Sequence, residues 1–560
     1  MFLPVLFLLL ASLPDAAPPK PDLVLENGFV YTAPDARPRR LSILIGEGKI
    51  LFLGEPAKAR KLQGEARVVD LGGAYVYAGW ADAHLHLLGL GRATETANLR
   101  GLPDADAAAR AIQSAAASLP AASWAEGRGW DQNLWPGKEF PDARTLDRVL
   151  PDRPALARRV DGHAVWVNTA ALRAAGIDAR TVDPEGGRIL RRSDGTPSGV
   201  LVDNAMSLLD KALPAATAAD TERWLLAGTQ ACARVGLTEV QDASGYEAAT
   251  IGALGRLAAA GKLPIRVYAT VSPQPAELSA SFAKGVRIGG GSDFLTVRAI
   301  KAVADGALGS RGAALLADYS DEPGRRGLVV TSPARLTEIA TDARRNGWQL
   351  WVHAIGDRAN RSALDAFEAA AAAVPNPPVG GTRPRIEHAQ ILTIEDFPRF
   401  ASLSVIASIQ PTHATSDMPW AEARVGASRI AGAYAWRRLK KSDVRMAGGS
   451  DAPVESENPL LGFYAAVTRQ DLDGKPPGGW RPGERLSAAE ALALFTSDAA
   501  YAAFEEDWRG RIAPGYAADL TVLARDPLTV PPAEIPSIPV RMTIVHGRIA
   551  HEAGARSSAP

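Results

Sequence analysis

Eight short apolar runs separated by helix-like segments constrain this sequence more than any other feature. They lie at 75–83, 237–241, 265–271, 295–303, 349–353, 384–388, 404–410 and 444–449. Helical stretches such as 334–346, 361–374 and 487–497 fall between or after them. Strands that alternate with helices imply βα units around a parallel sheet, and eight is the number that closes a barrel. The count requires residues 100–220 to stand apart as an insertion after the first strand. That block has strand-like runs of its own at 155–160 and 199–202 and many turn residues, so it reads as a lid-like α+β subdomain.

The two ends of the chain carry a different pattern. Segment 22–76 alternates short β-rich runs with turn signals, as in a small antiparallel sheet, and 508–553 repeats the pattern in Val540-Arg-Met-Thr-Ile-Val. One β-sandwich assembled from both ends is expected. The fold class is therefore α/β, with a (β/α)8 TIM-like barrel over 77–99 and 221–507, the composite sandwich over 22–76 and 508–553, and the insertion at 100–220.

Composition narrows the partners. Lys plus Arg and Asp plus Glu stand at 62 each, so no net field recruits nucleic acid or an anionic membrane. A small-molecule substrate is expected, no stable membrane insertion, and a homodimer stays open. Residues 2–13, FLPVLFLLLASL, are too short to span a bilayer and read as the apolar core of a signal peptide over 1–17. Export to a periplasm or the exterior follows from that reading. Cys232 is the only cysteine, so a metal, if bound, is held by nitrogen and oxygen ligands.

Catalytic groups on a barrel lie at the C-terminal ends of its strands. The histidines comply. His84 and His86 close Trp80-Ala-Asp-Ala-His-Leu-His, two residues apart on an extended strand, so their side chains project to one side. His353 ends Gln349-Leu-Trp-Val-His, His388 ends Arg385-Ile-Glu-His, and Asp451 follows Arg445-Met-Ala-Gly-Gly-Ser. Lys301 ends the fourth strand in Val297-Arg-Ala-Ile-Lys, an apolar setting with little structural use for a lysine. Any one of these alone would pass as a satisfied core or loop residue; six at six barrel-compatible positions would not.

This constellation resembles the metal site of the amidohydrolase superfamily. The flanking text resembles its branch containing N-substituted formamide deformylase: Gly79-Trp-Ala-Asp-Ala-His-Leu-His, Arg159-Val-Asp-Gly-His-Ala-Val-Trp-Val-Asn, Lys301-Ala-Val-Ala-Asp-Gly-Ala-Leu-Gly-Ser-Arg, Trp351-Val-His-Ala-Ile-Gly-Asp, Ile386-Glu-His-Ala-Gln and Gly448-Gly-Ser-Asp-Ala-Pro-Val. One departure is Ala78-Gly79 where the family usually has Pro-Gly. The resemblance implies one or two zinc ions per chain, two being favoured, bridged by a carboxylated Lys301. His84 and His86 would bind the buried metal, His353 and His388 the more exposed one. Two metals about 3.5–4 Å apart bring a bridging water toward hydroxide at neutral pH. Asp451 would orient it and pass its proton to the leaving nitrogen.

A second set is expected to face substrate. His163 and Asn168, in the insertion, could bind a substrate carbonyl or an oxyanion, and His413, after the seventh strand, has a barrel-top position suited to catalysis. Asp305 and Arg311 follow Lys301 in a Gly-rich loop and could hold a polar end of the substrate. Trp130 and Trp135 could wall an apolar pocket or fill the core of the subdomain, and Trp166 and Trp420 raise the same question. The expected activity is metal-dependent hydrolysis of a C–N bond in a small amide, formamide or cyclic amide. Ester hydrolysis, metal-dependent isomerisation on the same barrel and non-catalytic binding are the alternatives.

Overall fold

The computed structural model describes residues 19–554, apart from 121–122, 290–291 and 379–380, so the segment read as a signal peptide lies outside the described residues. Eight parallel strands follow one another in chain order in a single sheet: β1 (Trp80–Leu85), β2 (Leu237–Tyr246), β3 (Arg266–Val271), β4 (Leu295–Val303), β5 (Gln349–Ala354), β6 (Arg385–His388), β7 (Ile406–Ile409) and β8 (Met446–Gly448). The sheet curls until its edges meet. Beyond β8, the Asp451 N–H donates to the His84 carbonyl at 2.7 Å and the Ser450 N–H donates to the Asp82 carboxylate at 3.1 Å. A side chain at Gly449 would collide with the His84 nitrogen, 2.5 Å from the position its Cβ would take, so this seam closes only around a glycine. The barrel is nearly closed.

Helices pack on its outer face. Pro333–Arg345 begins with Ser332 accepting from the Arg335 N–H and a proline at the first helical position, two devices that satisfy or remove exposed N–H groups. Ser487 and Glu490 cap Ala488–Leu494 reciprocally. Among the described residues no helix is long and apolar enough to cross a membrane.

The first expected strand, 75–83, is in fact two. Tyr75–Ala78 belongs to the sheet of the chain ends and Trp80–Leu85 to the barrel, with the break at Gly79, where a Cβ would lie 2.2 Å from Thr238 Oγ1. The chain ends share one eight-stranded sheet, but it is mixed rather than purely antiparallel: Leu23–Val30 runs parallel to both Arg67–Asp70 and Tyr75–Ala78. Its core includes Leu25, Ile43 and Ile45 from the N-terminal part and Leu520, Val522 and Ile544 from the C-terminal part, all buried. The inserted region forms a third sheet of six strands, from Ala97–Asn98 to Pro197–Asp203, with helix Ala105–Ala116 on one face.

Candidate metal centre

All six residues expected to serve a metal gather at the C-terminal mouth of the barrel. His84 and His86 stand at the end of β1, Lys301 near the end of β4, His353 on β5 and His388 at the end of β6, while Asp451 follows β8. Asp451 is the hub: its Oδ1 lies 3.0 Å from His86 Nε2 and 3.3 Å from His84 Nε2, and its Oδ2 lies 3.5 Å from His413 Nε2. Ring centroids of His84 and His388 are 4.9 Å apart, and those of His353 and His388 4.5 Å. Ligand atoms of His84, His388 and Asp451 all lie within 4.8 Å of one another. His388 and Asp451 both have left-handed backbone, φ 74° and 61°, an uncommon conformation that turns each side chain in from the end of its strand.

The donor set fits a cation. The Nε2 atoms of His84, His353 and His413 and Asp451 Oδ1 are buried without a hydrogen-bond partner, which is costly unless an ion or ligand completes them. Burial first, and then neighbouring positive groups, push His353 and His388 well below the ordinary imidazole value, keeping them neutral as metal ligands must be. Burial opposes ionisation of Asp451, but His84 and His86 outweigh it and hold the carboxyl well below its usual range. Desolvation also lowers Lys301.

The supporting shell is dense. Glu387 engages His84 Nδ1, and Gln410 Oε1 accepts from His388 Nδ1 at 2.7 Å, so both rings turn Nε2 inward. Arg385, fully buried, donates to Glu387 at 2.9 Å, to Gln241 at 2.6 Å and to the Ala83 carbonyl at 2.6 Å. Of this shell the sequence reading missed Glu387, Gln410 and Arg385. A carboxylate inside the apolar run of β6 was the available signal.

Above the barrel mouth lies a cavity of about 340 Å³, reached by His353, His388, His413, Asp451, His163 and Trp420 among others. His163 Nδ1 donates to Asp203 Oδ1 at 2.7 Å, and its ring centroid is 4.9 Å from that of His353. Burial opposes its charge, yet Asp203 outweighs burial and lifts the imidazole to about 9. Asp203, at the end of a strand of the insertion, was not foreseen.

Five other residues expected to face substrate do not line this cavity. Asn168 is fully buried; it caps helix Thr169–Ala175, accepts from the Ala155 N–H at 3.0 Å and donates to the Leu150 and Arg153 carbonyls, which uses up its carboxamide. Trp130 and Trp135 stack 5.9 Å apart in the core of the insertion, their indole N–H groups bonded to the Ala157 and Leu102 carbonyls. Asp305 accepts from the N–H groups of Ala314, Ile355 and Gly356 and faces the His353 ring, its Oδ1 3.6 Å from Nε2. Arg311 is tied to Asp321 at 3.0 Å in its own loop. Of the tryptophans, Trp420 reaches the cavity, whereas Trp166 packs with Trp130 and Trp135.

Comparison with known proteins agrees with this geometry. A family model described as "Amidohydrolase family" matches residues 67–551. A putative amidohydrolase, YtcJ of Bacillus subtilis (strain 168), is 34% identical over 535 residues, covering 94% of this chain and 99% of the relative. N-substituted formamide deformylase of Arthrobacter pascens is 28% identical over 548 residues, covering 95% and 98%. The crystal structure of an uncharacterized metal-dependent hydrolase from Pyrococcus horikoshii OT3 superposes with a TM-score of 0.73 at 28% identity, covering 91% of this chain and 99% of that one. A nearly closed parallel barrel, a convergent His/Asp/Lys mouth and a family match across most of the sequence have one reading: this chain belongs to the amidohydrolase family.

Proposed function

We propose that this protein hydrolyses a C–N bond of a small amide, formamide or cyclic amide at a zinc centre held by His84, His86, His353, His388, Asp451 and a carboxylated Lys301. The convergence of ligand atoms of His84, His388 and Asp451 within 4.8 Å of one another at one barrel mouth, with His84 Nε2 and Asp451 Oδ1 buried and lacking a hydrogen bond, carries this reading. Zinc, when bound, supplies a Lewis acid for the carbonyl and makes water nucleophilic at neutral pH, and two ions are favoured over one.

The chain's own residues do the rest. Asp451 takes the proton of the attacking water and returns it to the leaving nitrogen, with its Oδ2 facing His413. His163, its Nδ1 bound to Asp203, offers Nε2–H to the substrate oxygen as negative charge develops there. Lys301, lowered by burial, can lose its proton and take up carbon dioxide, which converts a repelling ammonium into an anionic ligand. Trp420, Leu308 and Val454 supply apolar wall that keeps bulk water from the reacting atoms. The insertion acts as a lid, since it contributes Arg159 and His163 to the cavity.

The test is elemental analysis of the purified protein, followed by a panel of formamides, acylated amines and esters assayed in oxygen-18 water. Near two zincs per chain, with label in a new carboxylate and release of an amine, is the expected result. Turnover without label would indicate isomerisation. Metal-free protein with no turnover after reconstitution with zinc would overturn the reading.

A further inference from the structure

A second cavity, of about 540 Å³, opens against His86 and shares no wall residue with the first. The imidazole of His86 stands between the two. Its Nε2 faces Asp451, which lines the first cavity, at 3.0 Å, and its Nδ1 lies 3.5 Å from Ser244 Oγ, which lines the second. The His86 side chain is 34% exposed, whereas that of His84 is fully buried.

The wall of this second cavity is basic, and local structure makes it so. Ala125–Trp130 and Ala155–Arg159 are neighbouring parallel strands of the insertion, and their register sets Arg128 directly beside Arg158. Like charges side by side on one rung of a sheet repel. Glu126, two residues before Arg128 and therefore on the same face, is taken by Arg92, whose Nη2 lies 2.7 and 2.6 Å from its two oxygens. Arg128 and Arg158 form no ion pair among the described residues; Arg128 Nη2 donates only a long bond, 3.5 Å, to the Val160 carbonyl, and its Nε is buried without a hydrogen-bond partner. Three guanidiniums thus face the space against one carboxylate. Burial first, then Arg158 and Arg100, bring Arg128 down to about 10. The first cavity has the opposite balance, with Asp131, Asp161, Asp417, Asp451 and Glu455 against Arg100 and Arg159.

We propose that the cavity bounded by His86, Arg92, Arg128, Arg158, Ser244 and Trp224 is a carboxylate-binding site beside the metal centre. Two guanidiniums on one rung form a fork suited to the two oxygens of a carboxylate. The ligand is either the acid released on hydrolysis or a carboxylate carried by the substrate; this assignment of source, though not the site itself, rests on the amide-hydrolase reading.

Calorimetric titration of the metal-loaded protein with sodium acetate, and separately with N-acetylglycine, at fixed ionic strength, tests the site without requiring turnover. Acetate should bind, and Arg128→Gln or Arg158→Gln should each weaken it about tenfold, while Arg128→Lys, which keeps the charge but not the planar donors, should recover only part of the affinity. Metal content and the circular dichroism spectrum, unchanged across the variants, exclude misfolding as the cause. Equal affinity for both ligands supports a site for the released acid. Tighter N-acetylglycine binding, also lost in Arg128→Gln, supports a carboxylate on the substrate. No acetate binding, or binding that both Gln variants leave unchanged, would overturn the proposal.

Discussion

Glu387 and His84 meet with both side chains fully buried, the carboxylate on β6 engaging Nδ1 of the imidazole on β1. This pair locks the ring so that Nε2 faces Asp451. Arg385 outweighs the cost of burying Glu387 and holds its carboxyl down at about 2. Carboxylates that orient a metal-binding imidazole typically contribute 10- to 100-fold in metal affinity. Glu387→Gln is therefore expected to lose metal about that much more readily in competition with a chelator, as read by elemental analysis after dialysis.

Asp451 occupies the point where three imidazoles converge. If its main task is proton transfer, Asp451→Asn should lower kcat by at least about 10²-fold while most of the metal stays bound. Loss of metal in parallel with activity would show instead that ligation is its chief role.

Lys301 shows what the sequence could disclose. It makes no ion pair among the described residues, and it stands near the end of β4, level with Trp351 on β5, two residues before His353. Strand-end positions were legible because each ligand closes an apolar run, and a barrel brings those ends together. What could not be read was the face toward which irregular segments turn. Trp130 and Trp135 look alike in a turn-rich stretch whether they wall a pocket or fill a core, and only the packing of helix Ala105–Ala116 against their sheet puts them inside. Asp305 and Arg311 follow Lys301 closely, yet backbone N–H groups claim one and Asp321 the other. Glu387 was hidden for the opposite reason: it lies inside the run, where a charge is meaningful only once Arg385 and His84 are known to flank it.

The polar role assigned to Asn168 separates structure from function. Asn168→Ala should cost about 1–3 kcal/mol of stability by uncapping helix Thr169–Ala175 and stranding the Ala155 N–H. Trp135→Ala should cost about 3–5 kcal/mol through the cavity it leaves. Both are expected to leave metal content unchanged at a temperature well below unfolding, with melting curves and elemental analysis as the checks.

His163 reaches the first cavity from the insertion with Asp203 behind it. His163→Gln is expected to reduce kcat by about 10²- to 10³-fold, the usual loss for one donor to a developing oxyanion, with metal content unchanged. Asp203→Asn should have a smaller effect and should lower the pH at which activity begins to fall on the alkaline side. That direction follows because Asp203 is what lifts His163 to about 9, and without it the imidazole loses its proton sooner.

Asp519 fastens the sheet of the chain ends to the barrel. It receives Arg266 Nε from β3 at 2.7 Å and the His546 N–H at 2.8 Å, and Arg509 lies 3.9 Å away. Burial opposes its ionisation, but Arg266 and Arg509 prevail and hold the carboxyl below its ordinary value. A depressed carboxyl stabilises the folded protein above the unfolded-state value of about 3.9, and that contribution disappears as pH falls through the folded value. Asp519→Asn leaves the buried Arg266 without its carboxylate partner, while Arg509 keeps Glu239 and Glu505, and should cost about 3–5 kcal/mol at pH 7. In urea unfolding of wild type and variant, the gap between the two should be full at neutral pH and begin to narrow below about pH 4, where the unfolded chain's carboxyl takes up its proton. It should close at the lower pH where the folded carboxyl does so. A gap of constant size across that range would mean that the residue contributes through packing rather than charge.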